Sequence, residues 1–404
     1  MPGSFFHSFA KPTAESFINI VKGDGALMFD DAGKEYIDGI GSLWYCQIGH
    51  GRKEMADAIA TQVSTLETYS TFDPFTNPLA DKVAEKIASL SPINDARVFL
   101  CGSGSESIDT AMKLARVAHV QSGHPERTVI ITRNRGYHGT NYGGTSAQGL
   151  PLNKIGYGTL LDDVIQVDAD DIEQMSIAIQ NNKGRLAAII AEPVQGAGGV
   201  YPSNTEYLAG LRRLCDDNDA FLIFDEVITG FGRLGTWFGA QYYGVTPDMI
   251  TFAKGVTSGY LPLGGVIVGP RVTSPLESDQ SFFLRHGYTY SGHATVCAAA
   301  LTNIDIIERE GLLAKAVSIG KRLEVGLTSL VADGTITGLR GAGAIWAATL
   351  HDGVDATVIR DLMIQMGVIA RSIPGCIAFC PPLITTDKQV DTMVDTFAAA
   401  LAVK

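Results

Sequence analysis

From residue 97 onward, short apolar runs alternate with amphipathic stretches. Arg97–Cys101, Thr128–Thr132, Leu186–Ala191, Phe221–Phe224, Met249–Phe252 and Gly265–Val268 are brief, rich in Val, Ile, Leu and Phe, and read as buried strands. Between them, Glu106–His119 and Asn204–Asn218 repeat apolar residues every three or four positions, the helical period. That alternation predicts an α/β fold: a mostly parallel sheet covered by helices on both faces. A ligand of such a sheet binds beyond the carboxyl ends of its strands. Upstream, residues 26–38 read as two strands around a turn at Asp31-Ala32-Gly33, followed by helices over Met55–Glu67 and Asn77–Leu90. After residue 292 the pattern predicts helices near Ala294–Arg309 and Leu312–Val331, then strands near Arg340–Leu350 and Val368–Arg371. This is a smaller α/β unit. The expected division is a large domain over 46–291 and a small domain built from 1–45 and 292–404.

With 46% hydrophobic and 18% charged residues, the 404-residue chain has a globular composition. Thirty-one Lys and Arg face 43 Asp and Glu, a net charge of −12. That balance argues against nucleic acid or an anionic membrane as a partner, because both demand a basic footprint. The six cysteines are scattered and complete no Cys/His metal pattern, so reduced thiols and no metal site are expected. The N-terminal stretch lacks a basic segment followed by an apolar run, and no run approaches the ~20 apolar residues of a membrane helix. The expectation is a cytoplasmic protein.

Three features fall just past predicted strand ends. Cys101-Gly102-Ser103-Gly104-Ser105-Glu106 opens a helix with glycines, hydroxyls and free N–H groups, a cradle for an anion such as phosphate. An ordinary N-cap serine explains it equally well. It is neither a dinucleotide fingerprint, since the third glycine position holds Ser107, nor a P-loop, since no Gly-Lys-Ser/Thr follows. Asp225 ends an apolar strand, where an unpaired carboxylate is costly, so it should face a cation or strong donors. A loop salt bridge is the commoner fate of such an acid. Lys254 follows the next strand; among apolar neighbours its ammonium is disfavoured and its amine becomes nucleophilic, unless it simply snorkels to solvent. Each signal is weak alone. Together they suit pyridoxal 5′-phosphate, which needs an amine for its aldehyde, an acid for its ring nitrogen and a cradle for its phosphate.

At these residues the chain resembles the class III (ω-type) aminotransferases of pyridoxal-phosphate fold type I, with amine:pyruvate transaminases as the nearest type. The likeness runs over nearly the whole chain and is carried by Leu43-Trp44, Cys101–Glu106, Tyr137-His138-Gly139, Glu192–Gly199, Asp225–Arg233, Ala253-Lys254-Gly255 and His286–His293. It implies that Lys254 forms the Schiff base and then shuttles the proton, that Asp225 pairs with the ring nitrogen, and that Tyr137 and Val227 cover the two cofactor faces. It further implies phosphate contacts from Ser103, Gly104 and Ser105, with Thr289 entering from the neighbouring subunit of a homodimer. Glu192 and His138 lie beside Asp225 in the family, and Gln195 matches a position that reaches the cofactor's phenolic oxygen. His286 and His293, in Gly-rich loops, read as structural hydrogen-bonders.

For substrate, the resemblance implies that Arg371 clamps an α-carboxylate, as a planar fork suits, and that Trp44, Phe6 and Phe72 form the apolar wall. It implies an ω-amine, diamine or β-alanine-like donor and a keto acid, pyruvate first, as small-molecule partners. Asp73 stands beside Phe72 where relatives often carry a second Phe; a carboxylate there suits a donor with a distal ammonium. An ornithine- or acetylornithine-type aminotransferase, or an aminomutase or racemase of the same fold, would share the Asp225/Lys254 chemistry.

Overall fold

A computed structural model describes residues 4–403. Its centre is a seven-stranded sheet in the order Arg97–Cys101, Gly264–Val268, Met249–Phe252, Phe221–Asp225, Leu186–Ala191, Val129–Arg133, Val164–Val167. All neighbours run parallel except Gly264–Val268, which is antiparallel to both of its partners. The four central strands from Leu186–Ala191 to Gly264–Val268 are buried at every position, as a sheet covered on both faces requires. Alternate residues feed two apolar clusters. Ile189, Leu222, Phe224 and Ile250 point one way, and Ile190, Phe221, Ile223 and Met249 the other. Helix Gly104–Gln121 fills the second face through Ile108, Ala111 and Leu114.

Most strands and helices lie within one to three residues of their sequence-based positions. Thr128–Thr132 shifts to Val129–Arg133, and Glu106–His119 lengthens to Gly104–Gln121 because Ser103 caps the helix earlier. The run Arg340–Leu350 is a hairpin, Gly338–Ala342 and Ile345–Thr349, reversed at Gly343 with φ +51°. Two edge strands, Ile20–Asp24 and Val164–Val167, and the helix Ile172–Asn181 lie outside the expected set. Val368–Ile369 adds in parallel to Glu35–Asp38, completing a four-stranded sheet with Leu27–Asp30 and Ile20–Asp24. A third sheet, Gly338–Ala342, Ile345–Thr349, Cys376–Phe379 and Arg371–Ile373, belongs wholly to the C-terminal segment. Among the described residues no helix is long and apolar enough to cross a membrane.

Candidate active site

Asp225 closes the Phe221–Asp225 strand, opposite Thr251 on the parallel neighbour, and Lys254 lies just past the end of that neighbour at Phe252. Both side chains therefore sit at the carboxyl edge of the sheet. Asp225 is buried, and its partners come from three segments. His138 Nδ1 is 2.7 Å from Oδ2, while Oδ1 accepts from the Val227 amide at 3.2 Å and the Thr251 hydroxyl at 3.4 Å. An ionised carboxylate only accepts, so the His138 hydrogen must be on Nδ1. Glu192, past the next strand over, accepts from the Tyr137 amide at 2.9 Å and the Gly196 amide at 3.0 Å. Burial pushes its carboxyl up to about 7; His138 pulls it back and the Asp225 charge adds to the rise.

Lys254 is half-buried and opens a short 3₁₀ turn, Lys254–Val256, with φ +49°. Its amine makes no hydrogen bond or ion pair among the described residues. Burial depresses its pKa, with Asp225, Glu192 and Cys380 opposing the shift. The neutral, nucleophilic form is thereby enriched.

The anion cradle is partly spoken for. The Ser103 hydroxyl accepts from the Glu106 amide at 3.2 Å, an ordinary cap, and Ser105 Oγ accepts from the Thr140 amide at 3.0 Å. Glu106 folds back to accept the Gly102 amide at 2.6 Å. The Gly104 and Ser105 amides, at the first turn of the helix, are left without an internal acceptor. A Cβ on Gly104 would stand 3.0 Å from both Val227 methyls, so the helix start and Val227 touch. Tyr137 lies within reach of the Asp225 charge, which, after burial, raises the phenol's pKa. Buried Gln195 donates to the Asn134 carbonyl at 2.8 Å, and its own Oε1 has no partner. Unsatisfied amides for an anion, a histidine-backed acceptor and a partnerless amine fit pyridoxal phosphate.

The expected substrate residues are more dispersed. Trp44 is only 4% exposed and belongs to the main core cluster, at φ +68°. Its segment packs on the lysine turn, where the Gln47 and Ile48 amides donate to Ser258 Oγ at 3.2 and 3.3 Å. Arg371 is exposed on an edge strand, opposite Ala378, two residues before the Cys380 that faces Lys254. It makes no ion pair with an acid among the described residues. Phe6 is 77% exposed and Phe72 53%. The Phe72 ring packs on Gly287, Thr71 Oγ1 donates to the Ser291 carbonyl at 2.9 Å, and Asn77 Nδ2 to the Gly292 carbonyl at 2.8 Å. Residues 71–77, with exposed Asp73, and the turn carrying exposed Thr289 thus form one unit. No hydrogen bond, ion pair or ring contact joins Phe6, Phe72, Thr289 or Arg371 to Lys254 or Asp225 within the chain. His286 bonds Thr110 Oγ1 at 2.9 Å and stacks on Phe99, as a structural histidine does, whereas buried His293 Nδ1 has no partner. Thr251 and Cys380 were not anticipated. Thr251 carried a signal, being the one polar residue in Met249–Phe252; Cys380 carried none.

A lysine and an aspartate at adjacent strand ends, over a helix start with open amides, have the arrangement that pyridoxal phosphate requires in fold type I. The chain belongs to the class-III aminotransferases, whose family model matches residues 8–401, and it depends on pyridoxal phosphate as that class does. It is 34% identical to the β-alanine–pyruvate aminotransferase of Pseudomonas aeruginosa, over 95% of this chain and 91% of that one. It is 33% identical to the putrescine–pyruvate aminotransferase of the same organism, over 93% and 88%. Among solved structures it superposes at TM-score 0.95, with 36% identity over 100% and 99% of the two chains, on an amine transaminase from an uncultivated Pseudomonas species in its PLP-bound, internal aldimine form. It is an aminotransferase acting on a small-molecule amine and a keto acid.

Proposed function

We propose that the protein transfers an amino group from an ω-amine, diamine or β-alanine-like donor to pyruvate, with Lys254 and Asp225 at the centre of the site. The observation that carries the reading is their placement at neighbouring strand ends, Asp225 held by His138 and Lys254 without a hydrogen bond among the described residues. When bound, pyridoxal phosphate supplies an electron sink for the pair left on the substrate carbon when its proton departs. Lys254 anchors the group and then moves that proton, a role worth roughly 10²–10⁴ in rate for general acid–base catalysis. Asp225 would hold the ring nitrogen, and its contact with His138 Nδ1 fixes its orientation. Glu192 holds the Tyr137 and Gly196 amides, which sets the loop carrying Tyr137 and His138. Tyr137 and Val227 close the two faces and exclude water. The Gly104 and Ser105 amides, with the Ser103 and Ser105 side chains beside them, receive the phosphate.

On the same reading Arg371 takes the substrate carboxylate, since no acid among the described residues neutralises it, and Trp44, Phe6 and Phe72 shape the apolar wall. Thr289, exposed on a turn with no polar contact to its own Lys254, reaches the phosphate of a second copy, making the working unit a homodimer. Residues 46–291 form the cofactor domain; 1–45 and 292–404 form the small one, a division supported by the pairing of Val368–Ile369 with Glu35–Asp38. Six buried free thiols suit a reducing cytoplasm.

The test is direct. Borohydride reduction of the yellow holoenzyme, followed by peptide mapping, should fix the cofactor on Lys254; Lys254→Ala should retain cofactor yet lose at least about a hundredfold in turnover. A panel of β-alanine, putrescine and aryl-alkyl amines against pyruvate and 2-oxoglutarate should yield alanine fastest. Cofactor on another lysine, or isomerised amine without any keto acid, refutes the reading.

A further inference from the structure

The Lys254 turn is an unusual piece of backbone. Lys254 has φ +49° and Ser258, at its far end, φ +51°, both in the left-handed region that side-chain-bearing residues seldom occupy. Such conformations persist only where the surroundings over-determine them. Prominent among the surroundings here is one side chain on a distant helix. Asn303, fully buried in Ala294–Arg309, donates both hydrogens of Nδ2, to the Gly255 and Val256 carbonyls at 2.9 Å each. Its Oδ1 accepts from Ser258 Oγ at 2.6 Å. Ser258 Oγ in turn accepts the Gln47 and Ile48 amides. The amide orientation is unambiguous, because a reversed Asn303 would set its oxygen against two carbonyls.

We propose that Asn303, acting through Ser258, is a positioning residue for Lys254: it clamps the turn that presents the lysine amine to Asp225. This rests on Lys254 being the cofactor lysine. Three features make the clamp specific to the turn and not general glue. Asn303 interrupts an otherwise apolar helix face between Ala299, Ala300, Ile304 and Ile307, all buried, where an aliphatic residue would pack without needing partners. Every hydrogen it can donate goes to the residues directly after Lys254. The Ser258 hydroxyl links the same point to the segment that follows Trp44, so the lysine turn and the expected substrate wall share one fastening. Gly255 adds a steric condition, since a Cβ there would fall 2.2 Å from Gln47 Nε2 and push the turn off its seat. The clamp touches neither substrate nor cofactor; it acts by holding the backbone whose displacement would swing the amine away from its acid.

The experiment compares the wild-type holoenzyme with Ser258→Ala and Asn303→Leu, and Asn303→Asp as the near-isosteric change that turns a donor into an acceptor. Four quantities are read: cofactor content, the pH midpoint of the cofactor–lysine absorbance transition, kcat against KM for the amine donor, and Tm. The expected result is full cofactor content, a midpoint displaced by half a pH unit or more, kcat down at least tenfold, and KM changed less than threefold, with Asn303→Asp as impaired as Asn303→Leu. Should the Asn303 variants fail to fold, Ser258→Ala, which removes a single oxygen, decides alone. A folded, loaded variant whose midpoint and kcat match wild type overturns the clamp, as does a loss of kcat that merely follows Tm with the midpoint unmoved. Borohydride trapping of wild type separates the premises. Cofactor on Lys254 with unaffected variants sinks only the clamp, and cofactor on another lysine sinks both.

Discussion

Asp225 and Glu226 are adjacent acids with opposite employments. Asp225 faces the sheet edge with His138 behind it, whereas Glu226 turns inward and accepts from the Gly239 amide, the Ala240 amide at 2.8 Å and Thr229 Oγ1 at 2.9 Å. Burial pushes Glu226 up to about 7, its three donors and the Asp225 charge being smaller influences. The sign follows from linkage: an acid whose folded pKa exceeds its unfolded value of about 4.5 favours the folded state below that pH, and the advantage fades as pH rises to 7. Glu226→Gln should therefore flatten the decline of stability between pH 4.5 and 7 while lowering stability overall, because an amide nitrogen must replace one acceptor. Urea midpoints of both proteins across that range check it, and parallel curves would refute it. Sequence alone could not tell these acids apart. It placed Asp225 at a strand end, but which neighbour turns inward depends on the helix Gly239–Tyr243, folded from residues too short and mixed in character to show a period. Lys254 and Asp225 were legible because apolar strands make a charged terminus conspicuous. Asn303 is one of several polar residues in Ala294–Arg309, and its targets, the Gly255 and Val256 carbonyls, are backbone atoms that no side-chain pattern reveals.

At the scale of elements, the site is an assembly of strand ends and one helix start. The central strands were readable because both their faces are buried, which leaves continuous apolar runs. Ile20–Asp24 and Val164–Val167 were not, since they are mostly exposed or half-buried edges and mix polar with apolar residues. The helix start depends on a missing side chain. Gly104 lies against Val227, so a methyl there must push that residue or the first turn aside. Gly104→Ala is expected to weaken cofactor binding roughly tenfold, in line with about 1–3 kcal/mol for overpacking, and Gly104→Ala/Val227→Ala should regain most of the loss. Cofactor titration followed by fluorescence measures both; a single variant that binds like wild type would show the contact to be slack.

For the whole molecule, the segment Thr71–Asn77 and the turn bearing Thr289 are joined by Thr71, Phe72 and Asn77. If that unit serves the other copy, Asp73 is delivered with Thr289. Chains carrying Lys254→Ala and chains carrying Thr289→Arg should each be inactive alone. Random pairing leaves half the dimers with one intact site, so co-expression should restore about a quarter of wild-type activity. No recovery, or a monomer by sedimentation, would dismiss the shared site. The expectation of a shared site rests on family likeness alone, since a threonine on an exposed turn carries no physical mark of a neighbour.

One pairing sets a constraint on synthesis. Glu35–Asp38 acquires its parallel neighbour only from Val368–Ile369. A nascent polypeptide must hold Glu35–Asp38 without that flank until Val368–Ile369 has been made, while the central sheet, all of it between Arg97 and Val268, can assemble beforehand. Premature termination shortly before Val368 would thus release a body with a formed central sheet and an uncovered strand edge, a species prone to stick to its own kind.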